Sequence, residues 1–142
     1  MSKKEKKLLT ARFGNISPDS IDDYIKTGGY ASLKKALGMA PDAIIAEVKA
    51  SGLRGRGGAG FPTGIKMESV RRATGSPKYV VCNADEGEPG NFKDRYLMEK
   101  DPHQLIEGMI ISAFAVGADY GAIFVRGEYI KAIKILDNAI KQ

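Results

Sequence analysis

The 142-residue sequence predicts an α/β fold, in which a parallel sheet has flanking helices and is preceded by short N-terminal helices. Two continuous apolar runs, at 79–82 and 122–125, are typical of buried strands. One helical pattern separates the two runs and another follows the second. Strand, helix, strand, helix is the order of a βαβ unit, whose strands are parallel and whose crossover is right-handed. The predicted sheet is therefore Rossmann-like.

Three short helices are predicted before the sheet. The first is expected to start at Ser17-Pro18-Asp19, because a hydroxyl cap, an early proline and an acid near the positive helix end favour a helix start. Apolar residues at 33, 36 and 37 predict the second helix, and Pro41-Asp42 opens the third. Glycines at 28, 38 and 52 are expected to end them. Residues 65–73 are predicted to be a further short helix or a loop.

The remaining elements form the predicted βαβ unit. The run at 79–82 is expected to be a strand that is buried on both faces of the sheet. Asp101-Pro102 predicts the start of a largely buried helix that ends near Gly117. A final helix is predicted to bury one apolar stripe, made of Ile130, Ile133, Leu136 and Ile140.

The distribution of charge excludes nucleic-acid binding by the folded body. The net charge is +5, and residues 1–12, with five basic side chains and one acid, carry +4 of it. The remaining residues therefore carry only +1, and no basic stripe for a phosphate backbone is expected on them. Residues 1–12 are predicted to be a basic disordered tail and residues 13–142 a single domain.

Composition limits the redox and membrane chemistry that the chain can supply. A single Cys provides neither an internal disulfide nor the thiolates of a [4Fe–4S] cluster, and with a single His no metal site is expected. No apolar run approaches the roughly 18 residues of a membrane-spanning helix. We expect a cytoplasmic protein that reaches the inner face of a membrane only through partner proteins.

A glycine-rich loop, defined here as residues 51–64, is the least ordinary stretch of the sequence. Six of the thirteen residues from Gly52 to Gly64 are glycine, too many for the interior of a helix or strand. Bare backbone lets a flat or phosphorylated ligand approach and exposes N–H groups to it. A flexible surface loop is the alternative, although Arg54, Arg56 and Phe61 are unusual in a spacer. A phosphate-binding loop would need a Gly-Lys-Ser/Thr ending, which is not present here.

An acidic loop, residues 83–90, follows the first predicted strand. Ligands of open parallel sheets bind at the carboxyl ends of the strands. The oxygens of Asn83, Asp85, Glu86 and Glu88 suit sugar or ribityl hydroxyls, or a hard cation. A solvated turn is the alternative interpretation. Outside the loop, Lys66 and Arg95 are available to neutralise a phosphate or to pair with these acids.

Two long motifs occur in order along the chain. They are Gly55-Arg56-Gly57-Gly58-Ala59-Gly60-Phe61-Pro62-Thr63-Gly64 and Cys82-Asn83-Ala84-Asp85-Glu86-Gly87-Glu88-Pro89-Gly90, followed by Asp94-Arg95, Asp101-Pro102-His103 and Val125-Arg126-Gly127-Glu128-Tyr129. Together they resemble the FMN- and NADH-binding 51 kDa-type subunit of respiratory complex I. The flavin subunits of NAD-linked hydrogenases and formate dehydrogenases share this module.

The resemblance implies an NADH dehydrogenase reaction in which NADH gives a hydride to FMN, and electrons pass on to iron–sulfur centres in partner subunits. The glycine-rich loop would line the cleft for both cofactors, with Phe61 on the adenine, and Glu88 would lie beside the dinucleotide. The remaining polar residues would contact FMN. The implied cofactor-binding residues are Gly55, Arg56, Gly57, Gly58, Ala59, Gly60, Phe61, Gly64, Lys66, Asn83, Asp85, Glu86 and Glu88. No side chain need act as an acid or base, because the cofactor supplies the chemistry.

The sequence departs from this family in two ways. Met67 and Ser69 stand where aromatic residues are usual, and a lost ring removes about 0.5–1.5 kcal/mol of stacking. The family's ubiquitin-like domain and its iron–sulfur domain, with the [4Fe–4S] ligands, are also absent, so the chain is expected to be the N-terminal part of the subunit. The alternative function is a non-catalytic assembly module that binds no flavin and uses an exposed sheet edge to bind a partner or a second copy.

Overall fold

The structure, a computed structural model, describes residues 6–142, so the first five residues of the predicted tail lie outside it. Its elements are α1 (Ile21–Lys26), α2 (Ala31–Leu37), α3 (Pro41–Ala50), α4 (Thr63–Arg72), β1 (Tyr79–Ala84), α5 (Lys93–Lys100), α6 (Pro102–Val116), β2 (Tyr120–Val125) and α7 (Ile130–Lys141). The two strands pair as a parallel sheet. The predicted α/β class and parallel strand pair are confirmed.

The chain divides into two compact units. Among the described residues, the first unit contains residues 6–30, 83–106 and 124–142. The second unit contains residues 31–82 and 107–123. The boundary passes through both strands and through α6, so each unit contributes part of the βαβ segment.

An aromatic cluster forms the centre of the first unit. Tyr24, His103 and Asp101 are each at most 1% exposed. The Tyr30 hydroxyl lies 2.9 Å from Nδ1 of His103, and the Tyr24 ring packs edge-on against Tyr30 at 5.1 Å. Asp101 also begins α6, because its Oδ1 accepts a hydrogen bond from the backbone N–H of residue 104. The predicted start of this helix is confirmed.

Arg12, which we assigned to the basic tail, packs against this cluster. Its guanidinium lies 4.7 Å from the centre of the Tyr24 ring and 3.5 Å from the Asp101 carboxylate, and it donates a hydrogen bond to Thr27. Burial raises the pKa of Asp101, and the charge of Arg12 acts in the opposite direction. Disorder of residues 1–12 stays a prediction, but Arg12 itself is held by side-chain contacts.

The second unit has a small apolar core. Ala36 of α2, Ile44 and Ile45 of α3 and Ala115 of α6 are buried together. Met67 packs against this cluster from α4. The residue that replaces the usual aromatic of the family is therefore turned toward the core of its own unit.

The first helix begins later than the sequence predicts. Ser20, and not Ser17, caps α1, because its hydroxyl accepts the backbone N–H of Asp23 at 3.2 Å. Residues 17–20 instead form a turn in which the Ser20 N–H bonds to the Ser17 carbonyl. Ser17 and Ser20 could each cap a helix. Because residues 17–20 form a turn, the helix begins after Ser20. The predicted starts of α3 and α6 are correct.

One prediction of burial is wrong and another is correct only in part. Alternate residues of β1 are open, with Tyr79 60% and Val81 64% exposed, because no element of the described residues covers that face of the sheet. In α7, three residues of the predicted stripe, Ile130, Ile133 and Ile140, are also exposed, while the fourth, Leu136, is buried as predicted. The residues that pack with Leu136 are Ala132, Ile135 and Ala139. Two sets of apolar residues in α7 have helical spacing. The set that includes Ala132 and Ala139 packs against α5, because alanine side chains allow a close approach.

Candidate functional site

The glycine-rich loop is a short hairpin with a paired base. The N–H of Gly55 bonds to the carbonyl of Phe61 at 2.9 Å, and the N–H of Thr63 bonds to the carbonyl of Leu53 at 2.9 Å. Between these bonds, Arg54 and Pro62 form an antiparallel bridge. The Arg54 guanidinium also donates to the carbonyl of Gly60 at 3.0 Å. The loop is thus held by its own chain and is not a loose spacer.

The tip of this hairpin presents bare backbone. Among the described residues, no acceptor bonds to the backbone N–H groups of residues 56–60. Gly58 and Gly60 have φ values of +114° and +60°, in the region that side-chain-bearing residues rarely adopt. A Cβ added at Gly57 would meet no chain atom within 4 Å. The tip therefore combines free donors with open space, as a binding site for an anion or a flat ligand requires.

Gly64 has a different reason to be glycine. It is buried in the first turn of α4, where an added Cβ would lie 2.7 Å from the backbone nitrogen and 2.9 Å from the Cα of Lys49. The contact lets α4 approach the backbone of α3 closely. Helix packing alone explains this residue, and its implied role in binding a cofactor stays a prediction.

Phe61 and Lys66 lie on either side of the start of α4. The Phe61 ring is 53% exposed at the base of the hairpin, which leaves it free to pack on a ligand. Lys66 is exposed one turn into α4, and no carboxylate among residues 6–142 pairs with its ammonium group. Ser69, which stands where the family usually has an aromatic residue, donates its hydroxyl hydrogen bond to the carbonyl of Ile65 within α4.

The acidic loop leaves the end of β1 in the first unit. The Asn83 side-chain oxygen accepts the N–H of Asp85 at 3.1 Å, which turns the chain. Asp85 and Glu88 are exposed. The Asn91 N–H bonds to the carbonyl of Glu88 at 3.1 Å and closes the far side of the loop.

Glu86 differs from the other acids of this loop because it is buried, with 1% of its surface exposed. Its carboxylate accepts the backbone N–H groups of Asp94 at 2.7 Å and Arg95 at 3.1 Å. These are free donors of the first turn of α5, whose own N-cap, Phe92, has no side-chain acceptor. The missing local cap explains why α5 was not predicted from the sequence.

Arg126, at the end of β2, was not predicted as a site residue. Its Nη1 donates to the carbonyl of Glu86, its Nε lies 3.6 Å from the Asp85 carboxylate, and its Nη2 bonds to Glu128 at 3.2 Å. The charge of Glu128 raises the pKa of Arg126, so the guanidinium stays protonated. The signal was present in the sequence, since the carboxyl ends of neighbouring parallel strands meet at one sheet edge.

The predicted site residues separate into two groups. Asn83, Asp85, Glu86 and Glu88 are brought together in the first unit, with Arg126. The glycine-rich loop and Lys66 belong to the second unit. Residues 6–142 contain no cluster of three or more His, Cys, Asp or Glu side chains able to hold a metal ion.

Comparison with known proteins identifies the family. The model of the Nuo51 FMN-binding domain matches residues 48–142, which is more than half of the chain and includes both loops. The chain belongs to this family. The resemblance noted in the sequence is thereby confirmed, and the Nuo51 match contains every residue of the predicted site.

Curated members related to this Nuo51 chain are subunits of two kinds of complex. An NADH-quinone oxidoreductase subunit of Rhizobium meliloti (strain 1021) is 57% identical over 86% of this chain and 29% of its own length. The NADP-reducing hydrogenase subunit HndC of Solidesulfovibrio fructosivorans is 51% identical over 97% of this chain and 28% of its own length. The chain thus spans less than a third of these relatives.

A solved structure supports the same assignment of fold. The crystal structure of NAD+-reducing [NiFe]-hydrogenase in the air-oxidized state matches with a TM-score of 0.69 and 47% identity, over 72% of this chain and 18% of that chain. In the described part of the Nuo51 chain, none of the helices has the length and apolar character that crossing a bilayer requires.

Proposed function

We propose that this chain binds FMN and NADH and takes part in NADH oxidation within a multi-subunit electron-transfer protein. The observation that carries this proposal is the Nuo51 FMN-binding match, which spans both loops. The names of the relatives, an NADH-quinone oxidoreductase subunit and a hydrogenase subunit, support the same reaction class.

The residues present fit a flavin nucleotide. The hairpin tip offers unbonded N–H groups and no Cβ at Gly57, Gly58 and Gly60, so a planar ring or a phosphate has room to approach. The unpaired ammonium of Lys66 suits the phosphate. Exposed oxygens of Asn83 and Asp85 suit the ribityl hydroxyls.

The chain's own residues would bind and orient the two cofactors. FMN held by these residues would supply the hydride-accepting and one-electron redox chemistry. The hairpin tip would hold the flavin by backbone donors, and Phe61 would pack on the adenine of NADH. Glu88 would lie beside the dinucleotide. No proton needs to move through a side chain, so rate would depend on how these groups fix the two rings.

A titration of the purified chain with FMN, followed by quenching of flavin fluorescence, tests the proposal. We expect saturable binding, weakened by added phosphate if Lys66 holds the phosphate group. Addition of NADH to the FMN-loaded chain should then bleach the absorbance of the oxidised flavin, because the proposed reaction reduces it. Absence of saturable FMN binding, both in this chain and after addition of the remaining part of the subunit, would contradict the proposal.

Electron-transfer subunits as partners and a location at the inner face of a membrane are further parts of the proposal. The names of the relatives, each a subunit of a larger complex, support the partner subunits. Membrane association would come through those partners.

A non-catalytic assembly module is the second candidate function. The exposed apolar residues of the sheet, Tyr79, Val81 and Phe124, favour it, since apolar groups of this size usually become covered by a partner. Light scattering coupled to size exclusion separates the candidates. A stable oligomer that takes up no FMN would favour the assembly module.

A further inference from the structure

Three hydrogen-bond donors contact the carboxylate of Glu86. Its Oε1 accepts the Asp94 N–H at 2.7 Å, and its Oε2 accepts the Arg95 N–H at 3.1 Å. The Tyr129 hydroxyl, next to the start of α7, donates to Oε2 at 3.4 Å. Charge-assisted bonds of this kind are about twice as strong as neutral ones.

The main chain of Glu86 is held as well. Arg126 donates to its carbonyl and places Nε 3.6 Å from the carboxylate of Asp85. The end of β1, the first turn of α5, the end of β2 and the start of α7 therefore meet at one residue. All of these contacts lie within the first unit.

We infer that Glu86 is a positioning residue, which fixes the acidic loop against α5 and Arg126 before any ligand binds, and does not contact the flavin itself. The inference rests on the proposed function for what the loop is positioned to bind. It revises the role that the family resemblance implies for Glu86. The neighbours Asp85 and Glu88 remain the residues that face a ligand.

Solvent access and acceptor capacity both favour this role. Both carboxylate oxygens of Glu86 already accept a backbone N–H, and the residue is 1% exposed, so a ligand hydroxyl would need to displace a chain contact. Asp85 presents a side chain that is 46% exposed, and its only ion pair among the described residues, with Arg126, is 3.6 Å long. A ligand can reach Asp85 without disturbing the cap of α5.

Glu86→Gln is the most direct variant, because it keeps the shape of the side chain. The amide has one acceptor oxygen, and its NH2 group would face a backbone N–H, so one of the two bonds to α5 is lost. Arg126→Lys is the second variant. It weakens the contacts that hold the acidic loop against the end of β2. Glu47→Gln, the same chemical change at an exposed carboxylate of α3, is the control.

Two measurements on the full chain decide the matter. Hydrogen exchange of at least one of the Asp94 and Arg95 amides, without FMN, should accelerate about tenfold in Glu86→Gln and stay unchanged in the control. The dissociation constant of FMN should rise about tenfold in Glu86→Gln and in Arg126→Lys, again relative to the control. If Glu86→Gln does not fold, hydrogen exchange of the amides of residues 85–88 in Arg126→Lys replaces the first measurement.

Each other outcome overturns the inference. Unchanged exchange at the two amides would show that the carboxylate does not hold α5. Weaker FMN binding with unchanged exchange would indicate direct contact with the flavin, and faster exchange with unchanged FMN affinity would leave Glu86 a helix cap alone. If the wild-type chain binds no FMN, even with the rest of the subunit, the proposed function fails, while the exchange data still decide whether Glu86 holds the loop.

Discussion

Gly57 and Gly64 lie in the same glycine-rich loop but are glycine for different physical reasons. Gly57 lies in open space at the hairpin tip, whereas Gly64 touches the backbone of Lys49. The sequence alone groups the two, because a motif records residue type and not what surrounds each Cα. Only the packing of α4 on α3 separates the structural glycine from those at the tip.

Gly64→Ala is expected to lower the free energy of unfolding by about 1–3 kcal/mol, because the new methyl group overlaps backbone atoms that cannot rotate away. Gly57→Ala, the matched control, should change it by less than about 0.5 kcal/mol. Urea unfolding followed by circular dichroism measures both. Equal stability of the two variants would contradict the packing described for α4.

His103 makes stability depend on pH. Burial lowers its pKa below the usual 6.5, while the Gln142 side chain and the nearby Asp101 act in the opposite direction. The unfolded chain then binds the proton more tightly, so the stability is fully present above pH 6.5 and is lost as pH falls through 6.5 and below. Arg12, Tyr24 and Tyr30 are the other ionisable groups around it.

In His103→Gln, the decline of the unfolding free energy from pH 7 to pH 5 should become shallower than in the wild type, by about 1.4 kcal/mol for each unit of pKa shift. Comparing the slopes removes the contribution of Asp101, which titrates in both proteins. Urea unfolding at several pH values gives the slopes. Parallel slopes would mean that His103 is protonated equally in the folded and unfolded states.

At the scale of elements, local signals predicted most helices and failed where distant contacts decide. Proline and aspartate starts located α3 and α6, and continuous apolar runs located both strands. Helix α5 was missed because its cap, Glu86, comes from another segment of the chain. The predicted stripe of α7 is correct only at Leu136, because two stripes have helical spacing and only packing against α5 selects the buried one.

The hairpin of the glycine-rich loop depends on Arg54. Arg54→Ala removes the bond to the Gly60 carbonyl and should weaken FMN binding by up to about tenfold with little change in melting temperature, since the net value of such a bond is about 0.5–1.5 kcal/mol. Arg72→Ala, on an exposed position of α4, is the control. Unchanged FMN affinity in Arg54→Ala would show that the bond does not shape the binding surface.

At the scale of the whole molecule, the sequence predicted the class of fold and its family but not which apolar surfaces stay open. Continuous apolar strands indicate a sheet covered on both sides, yet Val81 and Phe124 are more than 60% exposed. What covers a sheet is decided by elements elsewhere, and the chain spans less than a third of its relatives. No local sequence pattern around β1 indicates whether another element covers the sheet.

If the chain associates with itself through the exposed sheet face, Val81→Thr should weaken that association, because it removes apolar surface from this face while keeping a β-branched residue in the strand. Leu8→Thr, a similar change at an exposed residue outside the sheet, should have no such effect. Sedimentation velocity over a dilution series measures the association. Equal association in both variants would mean that another surface is responsible.

The central claim is the proposal that this chain binds FMN and that the bare backbone of the glycine-rich loop contacts it. Nuclear magnetic resonance of the 15N-labelled chain, recorded during addition of FMN, tests this most directly. The account predicts saturable shifts at the amides of residues 56–60. Absence of saturable shifts at these amides, with the rest of the subunit present, would contradict it.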